Sequence, residues 1–170
     1  MRYQVIATSL LLLVSACTPI KDTSMKKQLL ISAKCKGSER RGNDPVPFEG
    51  KDLLLDISIA NPQNTEVGFP LTYVQKCGPI IKLIDSRTKA EAYLKGNLAD
   101  NALQKQFTII RSGQSLLLEW VITSGELEQF GGTHVDVSAE ITVKTGIQVG
   151  GNLVDFQGSD TLRIVRRTNP

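Results

Sequence analysis

The chain has 170 residues, 22% of them charged, and a formal charge of only +3. So small a positive excess gives no grounds for a nucleic-acid partner. A hydrophobic fraction of 41% is ordinary for a globular chain and leaves room for one domain with a real core.

The N-terminus carries an address. Arg2 supplies a short positive segment, residues 5–14 are an apolar run, and the small residues Ser15 and Ala16 precede Cys17. That order is a secretory signal. The apolar run is about half of the ~20 residues that a bilayer-spanning helix needs. Val14-Ser15-Ala16-Cys17 resembles the lipobox of bacterial lipoproteins, and the likeness covers residues 1–18. The resemblance implies cleavage before Cys17, a diacylglycerol on its thiol and acylation of the new amine. Two or more acyl chains anchor a protein stably, where one binds marginally. In enteric-type lipoproteins an Asp after the lipidated cysteine favours the inner membrane. Thr18 stands there in this chain, which implies the periplasmic face of the outer membrane. The competing reading is an ordinary secretory signal with a chance cysteine.

This divides the chain into a signal peptide at 1–16, a lipidated Cys17 with a tether at 17–27, and one domain at 28–168. The polar tether, with Pro19 and three lysines, reaches at most ~35 Å.

From there the pattern is β almost throughout. Residues 29–35 place Leu29, Ile31, Ala33 and Cys35 on one face by period two. A Gly/Pro-rich loop follows at 37–50. Residues 53–60 turn Leu53, Leu55, Ile57 and Ile59 inward, with Asp56 and Ser58 outward. Asn61-Pro62-Gln63-Asn64 is a turn. An apolar stretch at 67–75 surrounds Phe69, Leu71 and Tyr73. A strand at 80–85, a turn at 86–88 and a partner strand at 90–94 come next. Residues 96–105 are the sole helix candidate. Apolar runs at 107–110 and 115–123 flank Arg111-Ser112-Gly113-Gln114, the signal of a hairpin. Residues 133–145 alternate, with Val135, Val137, Ala139, Ile141 and Val143 inward. Gly150-Gly151 is a turn, and 161–166 is the last strand. About eight strands with no long helical period predict an all-β fold, a single antiparallel sandwich.

The stretch from Leu53 to Val143 is similar to the immunoglobulin-like sandwiches of bacterial envelope and inhibitor proteins, BsuPI-type proteinase inhibitor modules among them. The resembling elements are Asp56-Ile57-Ser58-Ile59-Ala60-Asn61, Lys82-Leu83-Ile84-Asp85, and Ser112-Gly113-Gln114-Ser115 leading to Glu119-Trp120. About 90 residues are covered. The likeness speaks for the fold more than for inhibition, since one fold hosts many functions.

Cys35 and Cys77 remain after lipidation of Cys17, in a compartment where disulfides persist, so a Cys35–Cys77 bridge is expected. Two cysteines and one distant histidine are too few for a zinc site, and no cofactor is expected. His134, Asp136 and Ser138 share one strand face. That face continues as Glu140, Thr142 and Lys144, which reads as the solvent side. A triad also needs its histidine between nucleophile and acid. Glu126 and Glu128 read as a solvated loop, and Trp120, in line with Leu116, Leu118 and Ile122, as core. No catalytic residue is assigned.

The expected function is a non-enzymatic binding or structural module of the cell envelope, with the membrane and another envelope protein as partners. The alternative is an envelope inhibitor or immunity protein against a hydrolase or toxin, presenting a loop at 37–50 or 124–132. An enzyme is the third class, disfavoured by the lack of motifs.

Overall fold

The computed structural model describes residues 29–37 and 44–166. Ten strands and three short helical turns follow in order. They are β1 (Leu30–Cys35), β2 (Val46–Phe48), β3 (Leu53–Ala60), β4 (Val67–Phe69), helix α1 (Leu71–Cys77), β5 (Ile80–Asp85), β6 (Glu91–Tyr93), a 3-10 turn (Asn101–Lys105), β7 (Thr108–Ile110), β8 (Ser115–Ile122), helix α2 (Ser124–Glu128), β9 (Asp136–Val149) and β10 (Asn152–Arg166). The fold is all-β. Among the described residues no helix is long and apolar enough to cross a membrane.

Two sheets share one core. The smaller has the order β1-β3-β8, antiparallel throughout. In the larger, β9 is central. It pairs with β10 along one side and with β5 and β4 along the other, and β2, β6 and β7 lie at the margins. Period two builds both inner faces. Leu53, Leu55, Ile57 and Ile59 of β3 are buried, as are Val137, Ala139, Ile141 and Val143 of β9, and all belong to one apolar cluster. Each fully buried Ile or Leu stabilises the fold by about 1.5–3 kcal/mol before chain entropy is set against it.

Several expectations need correction. The arms of the expected 107–123 hairpin do not pair with each other. β7 pairs with β4 in the larger sheet, and β8 pairs with β3 in the smaller one. The turn between them is a corner from sheet to sheet. Its Gly113 N–H donates to the Asn61 carbonyl at 2.8 Å, and the Gln114 carbonyl accepts from the Asn61 N–H at 2.9 Å. Asn61 thus ties this corner to the other crossing, from β3 to β4. Its buried side chain donates to the Thr65 and Ile110 carbonyls, both at 2.8 Å, and accepts from the Gln63 N–H at 3.0 Å.

The helix expected at 96–105 is only the 3-10 turn, started by Asp100, whose side chain accepts from Ala102 N–H. The apolar stretch at 67–75 divides at Pro70 into β4 and α1. Twelve residue steps from Gly68 to Ile80 span what β9 covers in six steps, from Gln148 to Thr142, because α1 bulges from the sheet margin between β4 and β5. The loop expected at 124–132 holds α2, closed at its start by a capping box between Thr123 and Glu126. Part of the 37–50 loop is strand β2, and its residues 38–43 lie outside the described ones.

Candidate functional site

Three concave places gather the residues of interest. The largest is a groove of about 410 Å³ beside the C-terminal half of β8, lined by Lys36, Leu54, Leu55, Asn97, Glu119, Trp120 and Val121. Register brings these residues together. Leu55 pairs with Trp120 on the inner face, Leu54 with Val121 on the outer face, and Lys36 follows the end of β1. The Lys36 ammonium donates to the Glu119 carboxylate at 2.6 Å, and this bond raises the lysine above its ordinary pKa. The groove is therefore apolar with one ion pair at its rim. Leu54 is 50% exposed, a large apolar side chain on the solvent face of a strand.

Trp120 is half-buried and packs against the core, as expected for a residue in line with Leu116, Leu118 and Ile122. Its ring lies so close to Gly78 that a Cβ there would sit 2.3 Å from two ring carbons. Beyond Gly78 a second hollow, of about 260 Å³, is lined by Tyr73, Cys77, Leu94 and Asn97 among others. Asn97 borders both, held by its N–H to the Cys77 carbonyl at 2.9 Å. The sequence reading took Leu55 and Trp120 as core and Glu119 as part of a likeness, and it did not join them into a groove. The outward Leu54 within β3 was the one available signal, because it breaks the polar face of Asp56 and Ser58.

This arrangement also explains the cysteines. Cys35 and Cys77 are not joined by a disulfide. Cys35 pairs with Leu55, and Leu55 pairs with Trp120, so the three form one row across the smaller sheet. Two strand spacings are about 9–10 Å, and Cys77 adjoins the Gly78 that meets the far edge of the Trp120 ring. A bridge needs Cα atoms about 4.4–6.8 Å apart.

The third place is a shallow cleft of about 280 Å³ lined by Asp85, Arg87, His134 and Asp136. His134 is exposed and lies before β9, whose first residue is Asp136. Asp136 accepts from Arg163 Nε at 3.0 Å and Nη2 at 2.8 Å, and from Ser86 Oγ at 3.0 Å. The Arg163 hydrogen bonds, foremost, hold its carboxyl below the usual aspartate range. Asp85 is buried and caps the turn after β5, accepting from the Thr88 N–H at 2.6 Å and the Arg87 N–H at 2.9 Å. The Thr88 bond, above all, lowers its pKa. Both acids are spent on structure, so the cleft offers His134 no idle carboxylate. Ser138 stands opposite Ile84 and Arg163 within the sheet and does not line the cleft. Glu126 is committed to the α2 capping box, and Glu128 lies 3.7 Å from Arg166. Among the described residues no group of three or more His, Cys, Asp or Glu could hold a metal ion. Cys17, the expected lipid site, lies outside the described residues.

No protein-family model matches this chain, and no curated protein does. Two solved structures are distantly similar in shape. One is a Northeast Structural Genomics Consortium target solved by X-ray, with TM-score 0.39 and 8% identity over 81% of this chain and 84% of that one. The other is a crystal structure of a protein from Archaeoglobus fulgidus, with TM-score 0.37 and 9% identity over 82% of this chain and 97% of that one. At those scores neither likeness bears on what the chain does.

Proposed function

We propose that the mature chain is a non-enzymatic binding or structural module of the cell envelope, held by lipid on Cys17 at the periplasmic face of the outer membrane. Val14-Ser15-Ala16-Cys17, behind an apolar run too short to span a bilayer, is the observation that carries this reading. The domain is read as an immunoglobulin-like sandwich. Support comes from the first two strands, since β1 pairs in the smaller sheet and β2 runs parallel to β10 in the larger.

The groove beside Trp120 is the surface this reading favours for another envelope protein, because it is concave, mostly apolar and edged by a satisfied ion pair. The inhibitor or immunity alternative calls for a protruding loop. Of its two candidate loops, 124–132 holds α2 in its first five residues, with Leu127 fully buried.

Cys17→Ser tests the anchor. Cells fed labelled palmitate are fractionated, and the parent chain is expected to carry label in the membrane fraction while the variant carries none. Equal labelling of the two would overturn the lipoprotein reading.

A further inference from the structure

Strand edges display backbone donors and acceptors that folds keep short, cover or charge. The margins of the larger sheet are short: β2, β6 and β7 have three residues each. The β1 edge of the smaller sheet is covered. There the Ala33 N–H donates to the Asp160 carboxylate at 2.7 Å, and Ile31 packs against Gly158 of β10.

The other edge, β8, is eight residues long and ends the sheet. Its bonding alternates in a way the neighbouring strands fix. The Lys36 N–H donates to the Leu54 carbonyl at 2.7 Å, so Leu54 bonds toward β1. Its β8 partner, Val121, must then point its backbone groups away from β3. By period two the same holds for Ser115, Leu117 and Glu119. Among the described residues, none of these outward groups has a hydrogen-bond partner. Leu117 is 52% exposed beside them. Helix α1 and Gly78 flank the strand at its Trp120 end, which leaves Ser115 to Glu119 as the open stretch.

We propose that a second copy of this chain pairs antiparallel with β8 about a two-fold axis through Leu117, joining two three-stranded sheets into one of six strands. Residues with outward groups can pair only with each other, which restricts the axis. An axis at Glu119 sets two carboxylates face to face, and one at Leu118 sets them diagonally adjacent. An axis at Leu117 packs that residue on the partner's Leu117 and places Glu119 opposite the partner's Ser115. Each Glu119 keeps its own Lys36 at 2.6 Å, so no unpaired charge enters the contact. Such an isologous contact closes on itself and leaves no further long edge. It buries well under the ~1,200 Å² of a standard interface, so the dimer is weak and concentration-dependent. The inference does not rest on the lipid anchor, although Lys36 and Glu119 also border the groove.

Leu117→Cys tests it in the full chain, extracted in mild detergent. A residue on the axis meets itself within disulfide reach. Mild oxidation is expected to give a reducible species of twice the chain mass. The parent and Ser32→Cys, an exposed position in the same cross-sheet row two strands away, are expected to give no such cross-linked species. No cross-link at position 117, or equal cross-linking at 32, overturns the proposal. A cross-link to a species of another mass overturns the second copy in favour of a foreign strand. Leu117→Pro removes the outward N–H and the exposed leucine side chain while leaving the hydrogen bonds from β8 to β3 in place. Light scattering at high concentration is expected to show loss of the dimer with the melting temperature kept within a few degrees, and a dimer that survives this change also overturns the proposal.

Discussion

Arg163 stands opposite Ser138 in the β9–β10 ladder, yet its guanidinium is held by Asp136, the next residue along the same face, through two hydrogen bonds of 3.0 and 2.8 Å. The pair crosses the strands diagonally and fixes the carboxylate that a catalytic His134 would have needed. Asp136 ties the start of this face to the turn through Ser86, while Glu140 and Lys144 further along it are exposed.

Asp136→Asn is expected to lower the melting temperature at neutral pH by only about 2 °C, because the pair is partly exposed and screened. The pH dependence is more telling. A carboxyl whose folded pKa is depressed contributes stability above its unfolded value, near 3.9, and loses it as pH falls through the lower folded value. Acid titration followed by circular dichroism should therefore show a shallower stability loss below about pH 4 in the variant than in the parent.

Asn61 should be far less tolerant. Asn61→Ala strips the Thr65 and Ile110 carbonyls of their donor and is expected to cost about 2–3 kcal/mol in urea unfolding. Asn61→Asp places a carboxylate against both carbonyls and should be worse than Ala at neutral pH. Its deficit should shrink in acid, where the protonated group can donate once. Equal stability of the two variants at every pH would contradict this account of the corner.

Two glycines separate steric from conformational cost. Gly78 has φ +81° and ψ 164°, a region essentially reserved for glycine, and its missing Cβ leaves room for the Trp120 ring. Gly113 has φ +71° with open space around it. Gly113→Ala is expected to cost about 1 kcal/mol and Gly78→Ala about 2–4 kcal/mol. Fluorescence of Trp120, the one tryptophan, should shift in the second variant alone.

Period two made β3 and the inner face of β9 legible, since every expected inward residue there is buried. Pairing was less legible. A glycine turn between apolar runs shows where the chain reverses, and it does not show whether the runs join one sheet or two. The choice at Gly113 was made by Asn61, 52 positions earlier, which the pattern revealed only as a strand breaker. The Thr123-to-Glu126 spacing of a capping box stands in the sequence, but the neighbouring Phe130-Gly131-Gly132 pointed to a loop. Helix α1 was hidden because seven residues with one buried side chain show no period. The groove was hidden because Asn97 reaches it from a separate loop.

The covering of β1 has a consequence for the order in which the molecule assembles. Asp160 is 127 residues from the Ala33 N–H it accepts, whereas β9 and β10 meet across a two-residue turn. Contacts this distant in sequence are slow, because the loop entropy is lost before the contact repays it. A chain delivered N-terminus first presents β1 early and Asp160 nearly last. Until then the exposed margin of β1 is open to any extended strand nearby. The local β9–β10 hairpin, once formed, carries Asp160 into place and closes that window.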